Sequence, residues 1–397
     1  MIKSINDYSF SGKKVLVRVD FNVPIDENLK ITDDTRIISS LPTIEKILKD
    51  GGIPVLCSHL GRPKGKVNSK YSLKPVADYL ASILNFTVHF AEDCIGEPAE
   101  DAVAKAKLGE IVLLENLRFH PEEEGNVKEF SESLASLTDV YVNDAFGSAH
   151  RAHASTEGVT KFFGENKFAG FLLLKELKYL GSAMENPQNP FVSIIGGAKI
   201  SGKIDVIRKL LEKCDSILIG GGMTFTFLKA KGYNIGNSLL EEDRINLAKE
   251  LLEEAKERKV NLILPSDIII AKEFNNNSEY KIVPSDKIPD GWIGMDIGIA
   301  AQNEYFNIIN NAKTVFWNGP MGVFEMTNFA NGTLSIAKGM KESTGKGAVT
   351  IVGGGDSVAA INQLGFSKDV SHVSTGGGAS LEFIEGKVLP GVKALEI

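Results

Sequence analysis

Only three cysteines, Cys57, Cys94 and Cys214, occur in 397 residues, far apart and without paired spacing. A disulfide scaffold and a cysteine-ligated zinc module are excluded, and the three thiols read as small, buried or half-buried side chains. Apolar runs of membrane-spanning length are missing. The opening stretch, MIKSINDYSFSGKK, has no apolar segment followed by small cleavage-site residues, so a cytoplasmic location is expected. Positive charge is not in excess: 44 Lys and Arg against 51 Asp and Glu leave a net charge of -7. That argues against nucleic-acid partners, and any anion must be held by local clusters of Arg and Lys. Two glycine signatures also fall short. The G-x-G-x-x-G fingerprint is absent from the first strand-to-helix turn of either half, which weighs against dinucleotide chemistry. GAKISGK at 197–203 has P-loop spacing, but Ile204 follows where a P-loop needs a hydroxyl for Mg²⁺.

What the chain does have is alternation. Its length implies two domains of similar size. In the first half, short apolar runs at 14–19, 53–57, 87–90, 111–114 and 140–142 alternate with amphipathic stretches of helical period. Strand–helix alternation with short connections predicts a parallel, doubly wound sheet, whose ligands sit beyond the carboxyl ends of the strands. Asp20, Asn22, His59, Arg62, Arg118, His150 and Arg151 all follow strand ends, and Arg36 opens the first helix. Four arginines and two histidines on one rim suggest a pocket for a small phosphorylated or carboxylated molecule, because guanidinium forks match such oxygens bidentately. The leucine-rich stretch 168–185 reads as a helix joining the domains, too short and too charged to span a membrane.

The second half repeats the pattern with glycine in place of arginine. Strands are expected at 191–195, 216–219, 262–264, 314–317, 348–352 and 372–374, with a β-rich stretch running to 283 and glycines bracketing 294–298. At 348–360, AVTIVGGGDSVAA puts three glycines, Asp356 and Ser357 between a buried strand and a helix start. Backbone N–H groups and the positive helix end suit a phosphate there, and Asp356 offers the hard oxygen that Mg²⁺ prefers. A glycine-rich turn of this kind is also common in α/β proteins that bind nothing at it. Five or six such strand ends in one half predict a second doubly wound domain with a rim of exposed backbone N–H, suited to a nucleotide.

Nine segments carry a resemblance: RVDFNVP (18–24), SHLGRP (58–63), LLENLRF (113–119), NDAFGSAHRAHAS (143–155), GGAKISGKI (196–204), GGMTFTFL (221–228), FWNGPMGVFE (316–325), GGGDS (353–357) and HVSTGGGASLE (372–382). In this order, from residue 18 onward, the chain resembles the phosphoglycerate kinases. The resemblance implies two Rossmann-like domains with a cleft between them: a 3-phosphoglycerate domain at 1–167, an interdomain helix at 168–186, a nucleotide domain at 187–380, and a segment at 381–397 returning to the first domain. It implies reversible phosphoryl transfer from 1,3-bisphosphoglycerate to ADP, with Mg²⁺, in a monomer that closes its domains around both substrates. Asp20, Phe21, Asn22, Arg36, His59, Leu60, Gly61, Arg62, Arg118, His150 and Arg151 would bind the three-carbon acid. Gly197, Ala198, Lys199, Lys203, Gly221, Gly222, Gly294, Asn318, Pro320, Glu325 and Gly353, Gly354, Gly355, Asp356 and Ser357 would bind the nucleotide, with Glu325 on the ribose and Asp356 on the metal. Arg36, Lys199, Lys203 and the helix starts at Gly355 and Gly378 would stabilise charge on the moving phosphoryl group. Two departures stand out: Gly202 where the family commonly has an acid, and Ile299 where it often has proline. A degenerate P-loop hydrolase, or a two-domain anion-binding protein without turnover, are the alternatives.

Overall fold

Apolar runs of four or five residues, apolar at every position, suit the strands of a parallel sheet whose two faces are covered by helices. The computed structural model describes residues 1–397, which divide into two compact units, Met1–Lys178 with Val388–Ile397, and Tyr179–Lys387. In the first unit the strands are β1 (Lys14–Arg18), β2 (Ile53–Cys57), β3 (Val88–Ala91), β4 (Ile111–Leu114), β5 (Val140–Asn143) and β6 (Lys167–Ala169). They form one parallel sheet in the order β3-β4-β2-β1-β5-β6. Every residue of β2, β4 and β5 is buried, as a strand sandwiched between helices requires. The chain leaves β1 toward β2 on one side and later returns to β5 on the other, so the order reverses beside β1. The carboxyl ends of these neighbours flank a natural crevice.

The second unit holds β7 (Phe191–Ile195), β8 (Ser216–Ile219), β9 (Asn261–Ile263), β10 (Asp267–Ala271), β11 (Tyr280–Pro284), β12 (Ile293–Ile297), β13 (Thr314–Asn318), β14 (Val349–Val352) and β15 (His372–Val373). Six of them make a second parallel sheet, β15-β14-β13-β7-β8-β9, whose order reverses between β7 and β13. The other three form a separate antiparallel sheet, β11-β10-β12. The glycines around β12 therefore do not lie on the doubly wound sheet, contrary to the sequence expectation.

Two further boundaries differ from that expectation. Lys167–Ala169 pairs with β5 as an edge strand, and the helix begins only at Phe171, running to Glu185. The helix Gly378–Ile384 belongs to the second unit, so the returning segment starts at Val388. In the first unit Gly391 donates its N–H to the Ala149 carbonyl at 2.8 Å, and Met1 and Ile397 exchange backbone hydrogen bonds. All three cysteines are buried and unbridged, and no helix is long and apolar enough to cross a membrane.

Candidate active site

In the first unit the polar side chains beyond β1, β2 and β4 lock one another in place. Arg36 Nη1 lies 3.1 Å from both oxygens of Asp20 and donates to the Asn22 carbonyl, so the helix Thr35–Lys49 presents its guanidinium against the loop after β1. Asn22 Oδ1 accepts the Gly61 N–H, tying that loop to the one after β2. Arg118 Nη1 donates to the Gly61 carbonyl at 2.9 Å, and its Nε sits 3.3 Å from Glu124 Oε1, an ion pair without hydrogen-bond alignment. Burial draws the Arg118 value below its usual range, with Arg18 and Arg151 acting the same way and Glu124 opposing. Arg62 and Arg151 are exposed, and His150 is half-buried. Phe21 and Leu60 are core side chains, leaving only their backbones to a ligand. Asn22, Leu60 and Gly61 also line a cavity of about 600 Å³.

Beneath this rim lie residues the sequence reading did not single out. Arg18 is buried, and its guanidinium reaches Ser155, Ser148, the Val19 carbonyl and His59 Nδ1. Glu123, also buried, accepts both the N–H and the hydroxyl of Ser155. Asn116 accepts the N–H of Leu60 and donates to the Leu60 and Tyr71 carbonyls, which fixes the loop after β2. The one available signal was an arginine set between Val17 and Val19 at the end of an apolar strand, where an unpartnered charge is costly.

In the second unit the glycine strand ends interlace. Gly196 donates to the Asn318 carbonyl, Gly197 to Pro320 and Gly221 to Met321, at 2.9–3.0 Å. A β-carbon on Gly319, whose φ is +96°, would stand 2.2 Å from the Gly196 carbonyl oxygen. This close approach opens a groove of about 490 Å³. Gly197, Ala198, Gly221, Gly222, Gly294, Pro320, Glu325 and Asp356 are among its lining residues. Phe225, Leu239, Met321 and Phe324 make it apolar enough to take a flat ring.

Lys203 donates to Asn318 Oδ1, while Asn318 Nδ2 holds the Gly353 carbonyl. Burial pulls the Lys203 amine down to about 8, with the nearby Asp356 carboxylate pushing the other way. Gly354, at φ +87°, caps the helix Gly355–Gln363, whose first two residues are exposed. The Ser357 hydroxyl is buried and accepts the Gly319 N–H, so it serves the loop rather than the groove. Lys199 is exposed outside the groove lining, Gly353 lies under the turn, and Gly378 opens its own short helix.

Two doubly wound units, one with a cationic rim and the other with a glycine-lined groove whose Asp356 carboxylate interacts with a half-buried lysine, are the parts of a phosphotransferase. A phosphoglycerate kinase family model matches residues 5–387. The chain is 56% identical over 393 residues to the phosphoglycerate kinase of Chloroherpeton thalassium, covering 99% of this chain and 98% of that protein. It is 55% identical over 395 residues to a cytosolic phosphoglycerate kinase of Nicotiana tabacum, covering 100% and 98%. Among solved structures, phosphoglycerate kinase from Coxiella burnetii superposes with a TM-score of 0.89 at 39% identity, covering 100% of this chain and 99% of that one. The enzyme from Pyrococcus horikoshii gives 0.85 at 30% identity, with 99% and 98% covered. The chain belongs to the phosphoglycerate kinase family.

Proposed function

We propose that the protein moves a phosphoryl group reversibly between 1,3-bisphosphoglycerate and ADP, giving 3-phosphoglycerate and ATP. The observation that carries this reading is the rim of Arg36, Arg62, Arg118 and Arg151, with two guanidiniums braced by neighbours and two exposed. Braced and exposed forks together suit a ligand with a carboxylate at one end and a phosphate at the other. The P-loop alternative leaves that rim without a purpose, and Ile204 stands at the helix start where its metal hydroxyl would be.

An acyl phosphate is already a reactive donor, so the protein needs no nucleophile of its own. Alignment and charge neutralisation suffice. Arg36 and Lys203 supply charge at the moving group, with Lys199 and the helix starts at Gly355 and Gly378 adding to it. Glu325, exposed at the groove border, accepts the ribose hydroxyls, and the backbone N–H groups after β7, β8 and β14 take the phosphates. Asp356 fits Mg²⁺: a single exposed carboxylate beside a phosphate cradle matches the way this ion keeps its waters and shares substrate oxygens. When bound, the ion screens phosphate charge. The protein acts in this reading as a cytoplasmic monomer without nucleic-acid or membrane partners.

The test is ADP formation from Mg-ATP with and without 3-phosphoglycerate, with the acyl phosphate drained by a coupled dehydrogenase. ADP formed only with the acid supports the reading. Equal ATP loss without it would revive the hydrolase, and binding of both ligands without turnover would leave an anion-binding protein.

A further inference from the structure

The imidazole at the rim is governed from inside the unit. Arg18 sits at the end of β1 with 1% of its surface exposed, and its Nη2 stands 3.1 Å from His59 Nδ1. Three of its four other N–H groups go to Ser155 Oγ at 2.8 Å, Ser148 Oγ at 3.2 Å and the Val19 carbonyl. A guanidinium has donors only and stays charged in proteins. The ring nitrogen facing it must therefore accept, because a proton on Nδ1 would set two N–H groups head to head beside a positive charge. We infer that Arg18 is a positioning residue that fixes His59 as the neutral imidazole with its proton on Nε2, a permanent hydrogen-bond donor to the anionic substrate. The inference rests on reading this rim as the acid's site.

Three further observations support it. The hydrogen bond His59 makes within the protein is at Nδ1, and the residue keeps 6% of its surface exposed, which leaves Nε2 for a ligand. The groups facing the ring are Arg18, Arg36, Arg118 and His153, all of which oppose a charge on it, and Asp20, whose Oδ1 lies 3.9 Å from Nδ1 and is too far to claim the proton while Arg18 is present. Burial and those cations hold the ring well below its ordinary range. Finally, the charge on Arg18 is balanced in place. Ser155 Oγ accepts from Arg18 Nε and donates to Glu123 Oε1 at 2.6 Å, while the Ser155 N–H meets Glu123 Oε2 at 2.9 Å. A buried guanidinium persists only with such a partner.

Without Arg18, the Nδ1–H tautomer can lean toward Asp20, and with one of the cations that oppose its charge gone the ring titrates at higher pH than in the unmodified protein. The decisive measurement is the long-range ¹H–¹⁵N correlation of the His59 ring in the full chain, free of ligand. The expected result is a proton on Nε2, a bare Nδ1 and no titration between about pH 5.5 and 8. A proton on Nδ1, or an ordinary titration, overturns the inference whether or not any variant folds.

In Arg18→Met, KM for 3-phosphoglycerate relative to the unmodified protein should rise about tenfold at pH 8. It should fall back as pH is lowered and the ring takes up its second proton, which returns an N–H to Nε2. KM for ATP should stay fixed, and Arg18→Lys, which keeps a donor beside Nδ1, should flatten the profile again. A pH-independent rise in Arg18→Met would reduce Arg18 to packing and overturn the role. A locked ring in a protein without acid-dependent turnover would sink the functional reading and leave the lock standing. Turnover with a freely titrating ring would do the reverse.

Discussion

Asp144 Oδ1 accepts the backbone N–H of Leu172 at 2.8 Å, and that of Leu173 at 3.2 Å, so a side chain from the loop after β5 caps the helix Phe171–Glu185. Burial pushes this carboxyl up to about 6 from 3.8, while Thr43 and the two amides pull it down. A carboxyl raised in the folded state contributes fully below its unfolded value and loses that contribution as pH climbs through the folded one. The stability of the first unit should therefore decline by roughly 3 kcal/mol between about pH 4 and 6. Urea melts across that window should show the decline in the unmodified protein and a flatter dependence in Asp144→Asn. An identical slope in both would assign the dependence to other groups.

Lys203 should matter to the rate more than to nucleotide affinity. Lys203→Ala is expected to lower kcat by about a hundredfold or more with a small change in KM for ATP, because the proposed function puts its charge where charge develops. Equal losses in both would deny it that role. Its amine is held near 8, so kcat should fall as pH rises through about 8. Because Asp356 pushes the value up, Asp356→Asn should move that falling limb to lower pH.

Gly294 in the groove and Gly319 in the loop after β13 should fail differently when each gains a methyl group. In Gly319→Ala the new carbon meets the Gly196 backbone, which cannot step aside, at a φ that only glycine adopts with ease. A loss of about 2–4 kcal/mol in unfolding free energy is expected. In Gly294→Ala the carbon meets the Phe225 ring at 1.9 Å, and a ring can swing into the groove. There the expected effect is weaker nucleotide binding with stability nearly unchanged, measured by titration calorimetry beside thermal melts.

The three thiols should resist maleimide in the native state. Burial pushes Cys57 up to about 12 and raises Cys94 and Cys214 well above the usual thiol range, and the thiolate is the reactive form. Labelling should track global unfolding in urea. Fast labelling at zero denaturant would show that one of the three opens locally.

The parts of the fold that could be read from residues alone were those whose neighbours in sequence decide them. Runs such as Ile111–Leu114 are apolar at every position because both faces are covered, and a polar residue just beyond them can only be at the rim. That made Asp20, His59 and Arg118 visible. Lys167–Ala169 was not, since three residues show no period and the apolar helix that follows absorbs them. The antiparallel trio β10, β11 and β12 read as β-rich, but what its strands pair with is a long-range fact with no local trace. The same holds for Arg18, Asn116 and Glu123. A buried polar residue is tolerated for the sake of partners 32 to 137 positions away, and sequence spacing does not announce them.

The strand of chain from Val388 to Ile397 belongs to the first unit, although it is synthesised after the whole of the second. The ribosome therefore releases a continuous unit, Tyr179–Lys387, that can mature on its own schedule. The earlier-made unit waits with the backbone of Ala149 uncovered until Gly391 emerges. Order of birth and order of completion are thus inverted in this molecule, and a released chain cut after Lys387 should present a first unit that lacks the Gly391 contact.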